Sequence, residues 1–151
     1  MKNLTFLFLL FLSYPSFSQN HQQPYLNLAE AERISDAAEA RARQDNWNVV
    51  IAILDNGGHL LLLKKMDGTQ IGSVEVAQAK AKSAVYFKRS TKVFEDAVNE
   101  GGNRILSLPN AIPIEGGLPI FKDGIIVGSI GISGVTSVQD GIIAEAALKA
   151  L

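Results

Sequence analysis

The chain has 151 residues, 47% of them hydrophobic, with a formal net charge of −1 and no cysteine. That length supports one domain with a substantial core and leaves no comfortable room for two. Near-neutral charge gives no electrostatic footprint for nucleic acid or an anionic membrane surface, and the lack of cysteine excludes disulfides, thiolate metal sites and cysteine nucleophiles together.

Lys2 gives a short basic start, Leu4–Leu12 is an apolar run, and Ser16-Phe17-Ser18 places small residues at cleavage spacing. The pattern is that of a secretory signal peptide over residues 1–18, which predicts a periplasmic or secreted protein. The run falls short of the roughly 18–20 residues of a membrane span, and a lipid anchor would need a cysteine, so no membrane anchor is expected. Phe6, Phe8, Phe11 and Phe17 leave with the leader, which weakens base stacking as a use for the mature domain.

Residues 19–26 are polar, contain Pro24 and read as a flexible leader to a domain spanning residues 27–151. Asn27 suits the N-cap of a helix reaching about Asn46, with Ala31, Ile34, Ala38 and Ala42 as its apolar stripe. Val49–Leu54 is continuously apolar and predicts a strand buried on both faces. Asn56-Gly57 predicts a hairpin turn into a return strand, Leu60–Leu63. Ser73 is positioned to cap a second helix running to about Lys88, and Thr91 a short third one stopped by Gly101-Gly102. Ile105–Leu108 reads as a short strand. Ser137-Val-Gln-Asp140 has the Ser-x-x-acid capping pattern and opens an alanine-rich final helix.

Between these lies Gly116–Gly134. Asp123-Gly124 separates two apolar runs and predicts a two-residue type I′ hairpin. The second arm carries Gly128, Gly131 and Gly134, and one of its faces narrows to Ser129, Gly131 and Ser133. Something must lie close against that backbone; the last helix, with Ala144, Ala146, Ala147 and Ala150, is the expected occupant, and a ligand the alternative. Any ligand site then falls at the strand ends, near Gly116-Gly117 and Asp67.

Catalytic signatures fail one by one. Gly131-Ile-Ser133-Gly134-Val135 misses the Gly-x-Ser-x-Gly elbow at its last position, the glycine spacing does not match a dinucleotide fingerprint, and no Walker A sequence occurs. No catalytic residue is assigned. Two histidines without ligand spacing predict no metal site, His59 being only a weak candidate. Among the acids, Asp55 and Asp140 read as turn and cap residues. Asp67 and Glu115 each adjoin a glycine at a strand end, as pocket-lining residues do, and either could serve as a general base. Lys80, Lys82, Lys88 and Arg89 form either a solvated face or a guide for a carboxylated ligand.

Four segments together resemble one family. Leu54-Asp55-Asn-Gly-Gly58, Lys65-Met66-Asp67-Gly68, Gly116-Gly117-Leu-Pro119-Ile120 and Gly128-Ser-Ile-Gly131-Ile-Ser133-Gly134 with Gln139-Asp140 are similar to the GlcG/HbpS family, which includes the C-terminal domain of PduO-type proteins. The match runs from about Leu28 to the C-terminus. It implies a profilin-like α/β (α+β) fold with a five-stranded, mainly antiparallel sheet and helices on both faces. It also implies homo-oligomers, and members that bind haem or corrinoid-related ligands. Lys65 stands where the family commonly has arginine, losing a bidentate fork for carboxylates. Haem-binding relatives can use a histidine of the first helix, and Asn27–Asn46 has none. The resulting expectation is an exported small-ligand-binding protein, a haem carrier or sensor accessory. Its candidate ligand-binding residues are Lys65, Met66, Asp67, Lys80, Thr91, Glu115, Gly116, Gly117 and Pro119. An enzyme acting on a small hydroxy or keto acid, with Lys65 or Lys80 holding the carboxylate, and a structural oligomer-forming domain are the alternatives.

Overall fold

The computed structural model describes residues 23–151; the signal peptide expected at residues 1–18 and the start of the leader lie outside them. Four helices, α1 (Leu28–Gln44), α2 (Ser73–Phe87), α3 (Lys92–Asn99) and α4 (Ser137–Leu148), accompany four strands, β1 (Val50–Asp55), β2 (Leu60–Lys65), β3 (Gly117–Lys122) and β4 (Ile125–Ser133). The strands form one sheet of order β2-β1-β4-β3, antiparallel at every pairing.

Two apolar layers sandwich it. On one face Ala31, Ile34 and Ala38 of α1 and Ile143, Ala144 and Ala147 of α4 pack on Ile51, Ile53, Ile130 and Ile132. On the other, Ala77 and Ala81 of α2 pack on Val50, Ala52 and Leu54. The expectation that Val49–Leu54 is covered above and below therefore holds, because β1 is a central strand and its alternate side chains serve different helices. No helix among the described residues is long and apolar enough to cross a membrane.

Local chemistry explains most boundaries. Asn27 caps α1 in a reciprocal box: its Oδ1 accepts from the Glu30 N–H at 2.9 Å and its own N–H donates to Glu30 Oε2 at 3.0 Å. Asp123 and Gly124 both have positive φ, 49° and 76°, as a type I′ turn requires. The β1–β2 connection is different. Only Gly58 has positive φ there, and Asp55 Oδ1 accepts from the Gly57 and His59 N–H groups, so a longer, side-chain-bonded loop replaces the two-residue Asn56-Gly57 turn.

Four further expectations are corrected. The sheet has four strands, not five: Asn103–Ser107 forms a 3-10 turn, with bonds from Ile105 N–H to Gly102 O and Leu108 N–H to Ile105 O. Leu106 and Leu108 are exposed, so that segment has no apolar face to lay against an edge. Capping at α4 shifts by one residue: Thr136 is the N-cap, boxed with Gln139, which releases Asp140 from capping. And the helix against the glycine arm is α2, not α4. A Cβ on Gly131 would stand 2.0 Å from Ala77 O and 2.6 Å from Ala81 N, and Ser133 Oγ lies 3.2 Å from Ser73 Oγ. Ser73, read as a cap, is instead buried in this seam, and Gly72 holds the N-cap position.

Candidate functional site

Five of the predicted residues converge at the end of the sheet where β3 begins. Lys80 projects from α2 and Asp140 from the first turns of α4, and Lys80 Nζ meets Asp140 Oδ2 at 2.7 Å with both side chains almost fully buried. The chain passes them at Gly116, whose φ of 123° suits glycine alone. A Cβ there would lie 2.8 Å from Asp140 Cβ and 2.9 Å from Lys80 Nζ. Gly117 is pinned next: its N–H donates to Thr91 Oγ1 at 2.9 Å and its carbonyl accepts from the Thr91 N–H at 3.0 Å. Thr91, expected to cap α3 with its side chain, makes no such bond, because its hydroxyl serves β3.

A second layer closes the knot. Glu95 of α3 accepts from the Glu115 N–H through Oε2 and from Ser137 Oγ through Oε1 at 2.9 Å, tying α3, the approach to β3 and α4 together. The Glu115 side chain lies over Gly141, where a Cβ would come within 2.3 Å of Glu115 Oε1. Its carboxylate accepts no hydrogen bond among the described residues, and Lys92 Nζ is 4.0 Å away.

Burial raises two acids here. It pushes the Asp140 carboxyl up to about 6 against the pull of Lys80. It also raises Glu115, with Lys92 opposing and Glu95 adding to the effect. Lys80 is therefore committed to Asp140 and has no charge to offer a ligand, whereas Glu115 is a largely buried carboxyl with no hydrogen-bond partner of its own among the described residues. Asp140 and Glu95 are the members that sequence reasoning missed. Lys80 and Asp140 are 60 positions apart, and the one available signal was that the Thr136-x-x-Gln139 box left Asp140 without a capping duty.

The other candidates lie apart. Lys65 pairs with Val50, Val50 with Ser133, and Gly117 with Gly131, so Lys65 and Glu115 share an end of the sheet but sit on its opposite edges. Three strand spacings separate them, about 14 Å. Asp67 is exposed and is not brought to one cleft with Glu115. Met66 is buried and lines a groove of about 340 Å³ with Arg43, Asn46, Trp47 and Asn48. Pro119 is buried on β3, an edge strand, where its missing N–H costs no sheet bond.

The basic residues disperse: Lys82 stands over the Tyr86 ring at 5.3 Å, Arg89 over Phe94 at 5.7 Å, and Lys88 is exposed. His59 Nδ1 lies 3.3 Å from Asp55 Oδ2 with its ring largely in solvent, and no group of three or more potential metal ligands occurs among the described residues. Two further grooves lie near the hairpin tip. One, of about 390 Å³, runs between Pro24, Glu30, Phe121, Lys122, Asp123 and Leu151. The other, of about 410 Å³, is walled by Asn56, Val85, Lys88, Phe121, Gly124, Ile125 and Ile126.

A four-stranded antiparallel sheet between helical layers, with a sealed polar knot at one end, defines a small α+β domain. The chain belongs to the HbpS-like family: the model of that family, described as "Haem degrading protein HbpS-like", matches residues 26–149. Protein GlcG of Escherichia coli K12 is 40% identical over 103 residues, 68% of this chain and 77% of that protein. The structure of a PduOC:heme complex superposes with a TM-score of 0.77 at 31% identity, covering 85% of this chain and 96% of the other. A double mutant of Streptomyces reticuli HbpS superposes at 0.78 with 27% identity, covering 86% and 89%.

Proposed function

We propose that this chain is an exported binding protein for a small ligand, that the ligand is haem or a closely related tetrapyrrole, and that the protein works as a carrier or as an accessory to a sensor. The observation that carries the reading is the likeness, at 31% identity over most of both chains, to a PduOC domain solved with haem bound. The apolar leader Leu4–Leu12 supports export to the periplasm or medium, and the family resemblance supports a homo-oligomer. The chemistry of the fold agrees. Lys80 is bonded to Asp140, Thr91 to Gly117, and Glu95 to Ser137 and the Glu115 N–H, so the knot acts as scaffold, while the grooves keep apolar and cationic side chains accessible. With no histidine on α1, an iron-ligating residue does not carry over from relatives that use one there. Titration of the purified mature protein with hemin tests the reading. A saturable Soret shift with fixed stoichiometry is expected; non-saturating broadening overturns it.

Glu115 favours a second reading, an enzyme on a small hydroxy or keto acid with this carboxylate as general base. Its side chain is largely buried, carries no hydrogen bond and has a raised pKa. Asp67 and Lys80 drop out of that scheme, the first by position and the second by its bond to Asp140. Turnover abolished by Glu115→Gln with hemin binding intact would establish this reading, and no turnover in the wild type would remove it.

A further inference from the structure

The trough at the hairpin tip combines features that neither of the other grooves has. The register shift opposite Ile120 and Phe121 inserts Val127 into β4, and beyond it Phe121 and Ile125 stand about half exposed at the end of the hairpin. Ile126 and the end of α2 at Val85 complete an apolar surface, and the short Asp123-Gly124 turn is too small to cover it. Lys88 ends α2 in the left-handed conformation, φ 55°, and stands at the rim with no carboxylate partner among the described residues. Phe121, Ile125 and Ile126 thus line one contiguous apolar wall of the trough, not scattered single exposures.

We propose that this trough seats the tetrapyrrole, with the macrocycle on Phe121, Ile125 and Ile126 and one of its carboxylates at Lys88, and that the contact is to the ring system and not to the metal. The proposal rests on the binding function put forward above. Its volume of about 410 Å³ falls within the usual range for small-molecule sites, apolar with a few placed polar groups. Charge selects it over its neighbours. In the groove beside it Lys122 is held by Glu30 and by the Tyr25 carbonyl, and Glu30 and Asp123 would repel an anionic ligand. The groove at Met66 sets Trp47 and Met66 beside two asparagines, but its one cation, Arg43, is held by Glu39 and is not free for a carboxylate. None of the side chains walling the trough is a histidine, cysteine, methionine or carboxylate, so nothing in it ligates iron. Iron-free porphyrin therefore binds as well as hemin does.

The test titrates the mature protein with hemin and with protoporphyrin IX, followed by Soret absorbance and porphyrin fluorescence, alongside sedimentation. In the wild type the two dissociation constants agree within about threefold. Ile125→Asp, at an exposed position, weakens both by roughly tenfold or more, which corresponds to about 1.4 kcal/mol. Lys88→Glu weakens both, and its effect disappears with the porphyrin dimethyl ester; Arg43→Ala, in the groove at Met66, changes neither. Hemin binding that ignores Ile125→Asp and Lys88→Glu, or that protoporphyrin IX fails to reproduce, overturns the site and leaves the binding function standing. So does an Ile125→Asp variant that loses oligomers while keeping its porphyrin affinity, since the trough is then a subunit seam. A wild type that binds neither porphyrin overturns the binding function itself.

Discussion

Lys80 Nζ and Asp140 Oδ2 meet at 2.7 Å across the end of the sheet, joining a helix on one face to a helix on the other through a contact closed to water. A buried ion pair adds little net stability over well-packed apolar residues, because removing two charges from water offsets their attraction. Breaking it from one side is another matter. Lys80→Met leaves Asp140 buried without its cation and should lower unfolding free energy by about 3–5 kcal/mol, read from urea denaturation. Lys80→Met combined with Asp140→Leu should recover most of that loss. A double variant no better than the single one would mean that the pair's exact geometry, not its charge balance, holds the two layers.

The same pair sets a pH dependence. Burial raises the folded Asp140 carboxyl to about 6 from its ordinary 3.8. A group raised on folding contributes stability that is fully present below its unfolded value and lost as pH climbs through its folded one. Glu115, also raised by burial, acts in the same direction. Glu30, lowered mainly by its bond to Lys122, and Glu39, lowered mainly by Lys64, act oppositely and lose their contribution as pH falls. The clean observable is a difference. Wild-type stability minus that of Asp140→Asn should decline between about pH 4 and pH 7, and a flat difference would contradict the raised carboxyl.

Thr91→Val removes one hydroxyl at constant shape. Gly117 N–H then has no acceptor in a position closed to solvent, and the expected loss is about 1–3 kcal/mol. Hydrogen exchange at Gly117 should accelerate more than at residues of β1, since the bond fixes the start of an edge strand.

Gly131→Ala forces a methyl into the backbone of α2, where Ala77 O would stand 2.0 Å away. Helix backbone cannot yield as a side-chain tip can, so the cost should reach about 3 kcal/mol or more, at the upper end of overpacking effects. Gly72→Ala, with open space around it, should be near neutral in the same assay.

Much of the fold was legible in the chain because local chemistry wrote it. Asn27 as a helix cap, the apolar run of β1 and Asp123-Gly124 each carry their geometry within a few residues, and each took the predicted form. The four glycine-rich and acidic segments named the family for the same reason. What stayed hidden depended on relations between distant segments. Alanine richness marks both α2 and α4, so it could not say which of them lies on Gly131; the path of the chain decides that. Thr136 and Ser137 both begin plausible capping boxes one residue apart, and the choice between them turned Asp140 from a cap into half of a buried pair. Ile105–Leu108 had strand-like composition, but with Leu106 and Leu108 exposed it has no apolar face to bury against the sheet. Of the candidate ligand residues, Lys80, Thr91, Glu115, Gly116 and Gly117 did gather, but chiefly around one another, and the trough near Phe121 lay outside the motifs that drew attention.

Thr91 and Pro119 also make the two borders of the sheet unequal. At β3, Gly117 has both backbone groups taken by Thr91, and Pro119, next on the same side, has no N–H to donate. An incoming strand, whether from a peptide or another copy of the chain, finds no continuous ladder to read there. Growth by strand addition is confined to the β2 border, which gives any self-association through backbone pairing a polarity: it can join two molecules back to back through β2 and then stops, without a second border from which a fibre could propagate.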